Sequence, residues 1–76
     1  MKVKIYGKLR CTFCDQAKMT SNMKGFDTEY LLLDADYTME EFSEKFPDAR
    51  TFPQICVGED EKHIGGYKEF REFLDE

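Results

Sequence analysis

The sequence predicts an α/β fold of element order βαβαββα, a mixed four-stranded sheet with helices on its faces. Two observations predict it. Across residues 2–33 a polar–apolar alternating run, a stretch without helix breakers and a run of β-formers follow one another, which makes a parallel βαβ unit with a right-handed crossover. Further on, two short runs of strand character flank the four-residue turn Gly58-Glu59-Asp60-Glu61, which makes an antiparallel hairpin on the same sheet.

Each element has a local reason. Lys2-Val3-Lys4-Ile5-Tyr6 alternates with the period of a strand and is closed by Gly7; the loop Lys8-Leu9-Arg10 then delivers Cys11. Thr12 to Lys24 contains no breaker, Thr12 is available as a cap, Asp15 sits in the first turn and Gly25 follows as a stop, so a helix is expected with Phe13, Ala17 and Met23 as its apolar stripe. Thr28 to Leu33 is rich in β-formers and ends at Asp34. Thr38-x-x-Glu41 has the spacing of a capping box and opens a short helix whose Phe42 and Phe46, four apart, face the core; Pro47-Asp48 ends it. Phe52 to Val57 reads as the third strand, with Pro53, which lacks an N–H, at its start, edge or an irregularity. Lys62-His63-Ile64 is the fourth strand, Gly65-Gly66 breaks it, and Tyr67, Phe70, Phe73 and Leu74 share one face of a final helix.

Seventy-six residues suit one domain spanning residues 1–76. With 41% hydrophobic and 36% charged residues but only five Gly and two Pro, the composition excludes disorder and collagen-like repeats. The apolar run Leu31-Leu32-Leu33 falls far short of the ~20 residues of a membrane span, and Met1-Lys2-Val3-Lys4 lacks a secretory hydrophobic segment, so a cytoplasmic protein without membrane contact is expected. The net charge of −5 disfavours a nucleic-acid partner. Residues 1–26 hold six bases against one acid, whereas residues 27–76 hold five bases against fifteen acids. Cys11 and Cys14 lie in the basic part, where positive potential would favour thiolates and attract small anions; solvated charges placed for solubility explain the same lysines equally well.

Cys11-Thr12-Phe13-Cys14 stands between the first strand and its helix. Cysteines three apart at a helix start can bring both sulfurs onto one side of the first turn, while free amides and the helix dipole favour a thiolate at Cys11. A depressed pKa makes Cys11 both nucleophile and leaving group, and Cys14 is placed to resolve a mixed disulfide. The chemistry indicated is dithiol–disulfide exchange. A Cys₃His zinc set of Cys11, Cys14, Cys56 and His63 is the metal alternative, disfavoured because structural sites usually present two short-spaced ligand pairs. Cys56, in Ile55-Cys56-Val57, reads as a small buried hydrophobe and His63 as a polar strand residue.

Assembled in this order, the residues resemble the glutaredoxin family of thioredoxin-fold oxidoreductases over nearly the whole chain. Tyr6-Gly7-Lys8 before Cys11-Thr12-Phe13-Cys14 is similar to the family's strand, lysine and active-site motif, Thr51-Phe52-Pro53-Gln54-Ile55 to its Thr-Val-Pro segment, and His63-Ile64-Gly65-Gly66 to its Gly-Gly turn. The brevity resembles that of the smallest bacterial and viral members. The resemblance implies strand order 2-1-3-4 with helices on both faces, Cys11 as attacking and Cys14 as resolving cysteine, and a cis Phe52-Pro53 bond that turns the Phe52 backbone toward Cys11, offering N–H and C=O to an extended thiol substrate. Glutathione is the implied reductant, with no tightly bound cofactor and no resident metal. The glutathione-binding residues implied are Lys8, Thr12, Phe13, Arg50, Phe52, Pro53, Gly65, Gly66, Tyr67 and Lys68. Lys8 and Arg50 are candidates for one carboxylate, and the amides of Tyr67 and Lys68 for another.

The implied partners are disulfide-containing proteins, with ribonucleotide reductase as the family-level expectation, and the implied state is a monomer. Four departures stand out: Thr12 replaces a frequent Pro, Phe13 a usual Tyr, and Thr20-Ser21 the customary leucines, while Tyr67 and Lys68 occupy the place of an Asp that pairs with the glutathione amine. They leave two other readings open, a thioredoxin-like reductant recycled by a flavoenzyme reductase and a glutathione-assisted iron–sulfur or zinc carrier.

Overall fold

The computed structural model describes residues 1–75; residue 76, the last of the expected domain, lies outside the described residues. The elements run β1 (Lys2–Gly7), α1 (Thr12–Met23), β2 (Asp27–Leu32), α2 (Met39–Lys45), β3 (Gln54–Val57), β4 (Lys62–Gly65) and α3 (Tyr67–Leu74). The sheet has the order β2-β1-β3-β4, with β1 parallel to β2 and antiparallel to β3, and β3 antiparallel to β4. This is the thioredoxin-like architecture.

Period-two alternation sorts the side chains onto two faces. Val3 and Ile5 of β1 and Ile55 and Val57 of β3 pack with Ala17 of α1 and Phe70 of α3, forming one core cluster. Tyr6 and Cys56, pointing the other way, join Phe42 of α2, Phe46 at its C-cap and Tyr37 in a second. The second cluster is held by aromatic geometry: Tyr6 stands edge-on to Tyr37 at 5.3 Å and to Phe46 at 5.1 Å between ring centroids. Helices therefore cover both faces, α1 and α3 on one and α2 on the other.

Two contacts connect this frame to the loop that carries Cys11. The Tyr37 hydroxyl donates to the buried Gly7 carbonyl at 2.6 Å, tying the segment after β2 to the end of β1. Burial raises the Tyr37 pKa, so the phenol stays protonated as a donor. A Cβ at Gly7 would stand 2.5 Å from the Tyr30 hydroxyl, so only glycine lets β1 finish against that ring.

Several local expectations are corrected. The α1 cap is Cys11 rather than Thr12: Cys11 has the extended backbone of an N-cap and its sulfur accepts the Cys14 N–H. The expected stripe Phe13, Ala17 and Met23 is not the buried one, because Phe13 is 58% and Met23 80% exposed. The face that turns inward is Cys14, Ala17 and Ser21, at the i, i+3, i+7 spacing. Ser21 is tolerated there because its hydroxyl is hydrogen-bonded to that of Thr28 on β2. The third strand starts at Gln54, two residues later than expected, since Pro53 has no N–H to pair; the Phe52–Pro53 bond is cis.

Candidate active site

Cys11 and Cys14 are joined by a disulfide, with Cα atoms 5.2 Å apart. Their environments differ. Cys14 is fully buried on the inner face of α1, whereas Cys11, at the helix cap, is partly open to solvent. The preceding loop turns through Leu9 and Arg10, with Arg10 in the left-handed region at φ 57°. Capping by a sulfur has a chemical consequence. The Cys14 N–H, one of the amides that the first helical turn leaves without a carbonyl, donates to Cys11 Sγ at 3.2 Å. A negative sulfur gains more from that donor, and from the helix dipole, than a neutral one does.

Phe13, which lies between the two cysteines in the chain, lines a groove of about 250 Å³ together with Thr51, Phe52, Gly66, Tyr67, Lys68 and Glu69. Phe13, misplaced by the helical-stripe reading, stacks on Tyr67 with centroids 5.9 Å apart. The Tyr67 hydroxyl accepts from Arg71 at 3.2 Å; that bond and one to Thr20 lower its pKa. Phe52, also in the lining, stacks on Phe42 at 4.6 Å, and the Lys8 ammonium lies 5.3 Å over the Phe52 ring.

Gly65 adopts φ +119°, a conformation that favours glycine, and a Cβ there would come within 3 Å of three Glu69 atoms. A Cβ on Gly66 would meet the Pro53 carbonyl at 3.2 Å, so this pair lets β4 turn into α3 close behind the cis-proline. Glu69 accepts the Gly66 N–H at 2.7 Å.

Residues 3–64 match the family model of the glutaredoxins. The chain belongs to the glutaredoxin family. Along its whole length it is 31% identical to Glutaredoxin 1 of Escherichia coli, covering 95% of that protein. Among solved structures, oxidized Escherichia coli glutaredoxin superposes with a TM-score of 0.77 at 34% identity, covering all of this chain and 95% of that one. Glutaredoxin 1 from Francisella tularensis, complexed with cacodylate, gives 0.80 at 27% identity, covering 97% and 92%. A glutaredoxin with the Cys11–Cys14 pair is a thiol–disulfide oxidoreductase.

Most of the residues expected at this glutaredoxin's site converge. Phe13, Phe52, Gly66, Tyr67 and Lys68 line the groove, Lys8 reaches it through Phe52, Thr12 begins α1, and Pro53 and Gly65 support the turn beneath. Arg50 is exposed and lines an adjoining cavity of about 290 Å³ with Lys45, Gln54, His63 and Glu69. Thr51 and Glu69 line the groove beyond the residues expected from the sequence. Gly66-x-x-Glu69 has the spacing of a side chain that reaches back to a helix start, a signal present in the sequence.

Cys56 is buried beside Tyr6 and Phe46, and burial pushes its thiol pKa up, as suits an unreactive core cysteine. His63 Nε2 lies 2.7 Å from Gln54 Oε1. Among the described residues no three His, Cys, Asp or Glu side chains gather as a metal-binding set, and no helix is long and apolar enough to cross a membrane.

Proposed function

We propose that the chain reduces glutathione mixed disulfides and protein disulfides with Cys11 as nucleophile, Cys14 as resolving thiol and glutathione as the electron source. The observation that carries this reading is the asymmetry of the pair: a partly exposed cap sulfur facing an amide donor, and a fully buried partner one turn along. The Cys11 thiolate attacks one sulfur of the substrate disulfide, forming a mixed disulfide and expelling the other sulfur as a thiolate. Cys14, after losing its proton, attacks Cys11 Sγ, closes the Cys11–Cys14 disulfide and releases the second substrate thiol. Two electrons have then passed to the substrate. Two glutathione thiols restore the dithiol by the reverse exchange and leave as glutathione disulfide. With a glutathione mixed disulfide, glutathione can instead attack the Cys11 adduct directly, without Cys14.

The groove suits an extended thiol peptide. The stacked Phe13 and Tyr67 supply apolar surface, Phe52 supplies backbone, and Lys68 in the lining and Lys8 over the Phe52 ring supply positive charge for carboxylates. A specific observation favours a second reading, recycling by a flavoenzyme reductase. Tyr67 and Lys68 stand where the resemblance places an amine-binding Asp, and Glu69 already occupies the Gly66 amide, next to the Tyr67 and Lys68 amides proposed for a carboxylate. Enzyme-linked assays separate the two. The proposal predicts turnover of a glutathione mixed disulfide with glutathione and glutathione reductase and none with thioredoxin reductase; the converse pattern would assign the chain to the second reading.

A further inference from the structure

We propose that Gln54 and His63 are positioning residues for substrate, holding the Thr51–Phe52 peptide plane so that the Phe52 N–H is presented to the bound thiol peptide. The inference rests on the proposed glutathione chemistry for its substrate and on the following geometry for its cause.

Gln54 is buried at the first position of β3, directly after the cis-proline. Its side-chain amide nitrogen donates to the Thr51 carbonyl at 2.8 Å. A carbonyl only accepts, so the amide orientation is determined, and Gln54 Oε1 is left to face His63 Nε2 at 2.7 Å. His63 must therefore carry its proton on Nε2. Partial desolvation, and then the charge of Lys45, lower the His63 pKa, which leaves a neutral ring with Nδ1 unprotonated at neutral pH. The ring is held in place against Phe46, at 4.4 Å between centroids. A two-bond brace thus runs from β4 through the start of β3 to the loop ahead of Pro53.

The Thr51 carbonyl and the Phe52 N–H belong to one planar peptide unit, so fixing the carbonyl direction fixes the N–H direction on the opposite side. Thr51 and Phe52 both line the groove that Phe13, two residues after Cys11, also lines. A substrate peptide that adds to this segment as a strand takes its hydrogen bond from that N–H. Binding then depends on Gln54 and His63 although neither side chain is among the groove-lining residues. The chemistry at sulfur is left to Cys11 and its cap.

The test compares Gln54→Leu, which removes both bonds, His63→Leu, which removes only the outer one, and His63→Gln, which restores an N–H donor. With a glutathionylated peptide as substrate, Gln54→Leu is expected to raise KM about tenfold, the equivalent of one lost hydrogen bond. His63→Leu is expected to raise it severalfold and His63→Gln to recover most of the loss. kcat and the rate of Cys11 alkylation by iodoacetamide are expected to stay within about twofold of the wild type, since a defect confined to binding leaves the reacting sulfur alone. KM unchanged in folded Gln54→Leu, or alkylation slowing in step with KM, would overturn the proposal. If Gln54→Leu does not fold, the partly exposed His63 supplies the same comparison. A second readout needs no turnover: in the substrate-free protein the Phe52 amide resonance should shift in His63→Leu and return in His63→Gln. Wild-type protein inactive on the glutathionylated peptide would defeat the functional reading, whereas an unmoved Phe52 amide would defeat the brace.

Discussion

Cys11→Ser is expected to reduce disulfide exchange to the uncatalysed rate, whereas Cys14→Ser keeps reduction of glutathione mixed disulfides and loses reduction of protein disulfides that need internal resolution. The difference follows from position. Cys11 is the sulfur a substrate can reach, and it alone caps α1 and receives the Cys14 N–H. A serine hydroxyl in its place has the same geometry but is not ionised at neutral pH, so it neither attacks nor leaves. Cys14 is sealed in the inner face of α1, and in the proposed mechanism its one partner is Cys11. Removing it spares the route in which a second glutathione attacks the Cys11 adduct. Initial rates with a glutathionylated peptide and with a protein disulfide, measured for both variants, check this; equal residual activity in the two would contradict the assigned roles.

Phe70→Ala is expected to lower stability by ~3–5 kcal/mol, as is usual for emptying a fully buried aromatic site. Phe70 has no exposed surface and sits among Val3, Ile5, Ala17, Ile55 and Val57, so it is the residue through which α3 closes the core over the sheet. Small domains have ~5–15 kcal/mol in total, so a large share of the folded state's advantage rests on this ring. Phe73, three residues along the same helix, is 37% exposed and its truncation should cost far less. Urea unfolding midpoints for the two variants, at a common slope, measure the gap. Equal losses would mean that α3 packs differently from the arrangement described.

The sequence treats Tyr67, Phe70, Phe73 and Leu74 as equals on one apolar face, and that is where its legibility ends. Element order was readable because β1 alternates, α1 lacks breakers and Gly or Pro punctuates the connections. The Cys11–Cys14 pair was readable from spacing alone. Which members of an apolar set go inside depends on what stands opposite, and that is a tertiary fact. Phe13 shows it: counted as core by periodicity, it leaves the core to stack on Tyr67 and wall the groove. Ser21 shows the converse, a polar residue drawn fully inside because Thr28 on the neighbouring strand satisfies its hydroxyl. Hydroxyls are the customary capping groups, which points to Thr12, while the residue before it has a sulfur that does the same work. Gln54 and His63 meet across an antiparallel pair whose register shifts between Ile55 and Cys56, which strand periodicity does not reveal.

The proposed exchange requires Cys11 to be an anion in the reduced protein at neutral pH. The Cys14 amide and the α1 dipole both lower the free energy of the thiolate relative to the thiol, so its pKa should fall below the ~8.5 of a free cysteine. The measurement that decides this is the rate of Cys11 alkylation by iodoacetamide against pH in the reduced protein, with Cys14→Ser as background to isolate the one sulfur. A midpoint below ~8.5 is the predicted result; a midpoint at or above it would contradict the assigned role of Cys11.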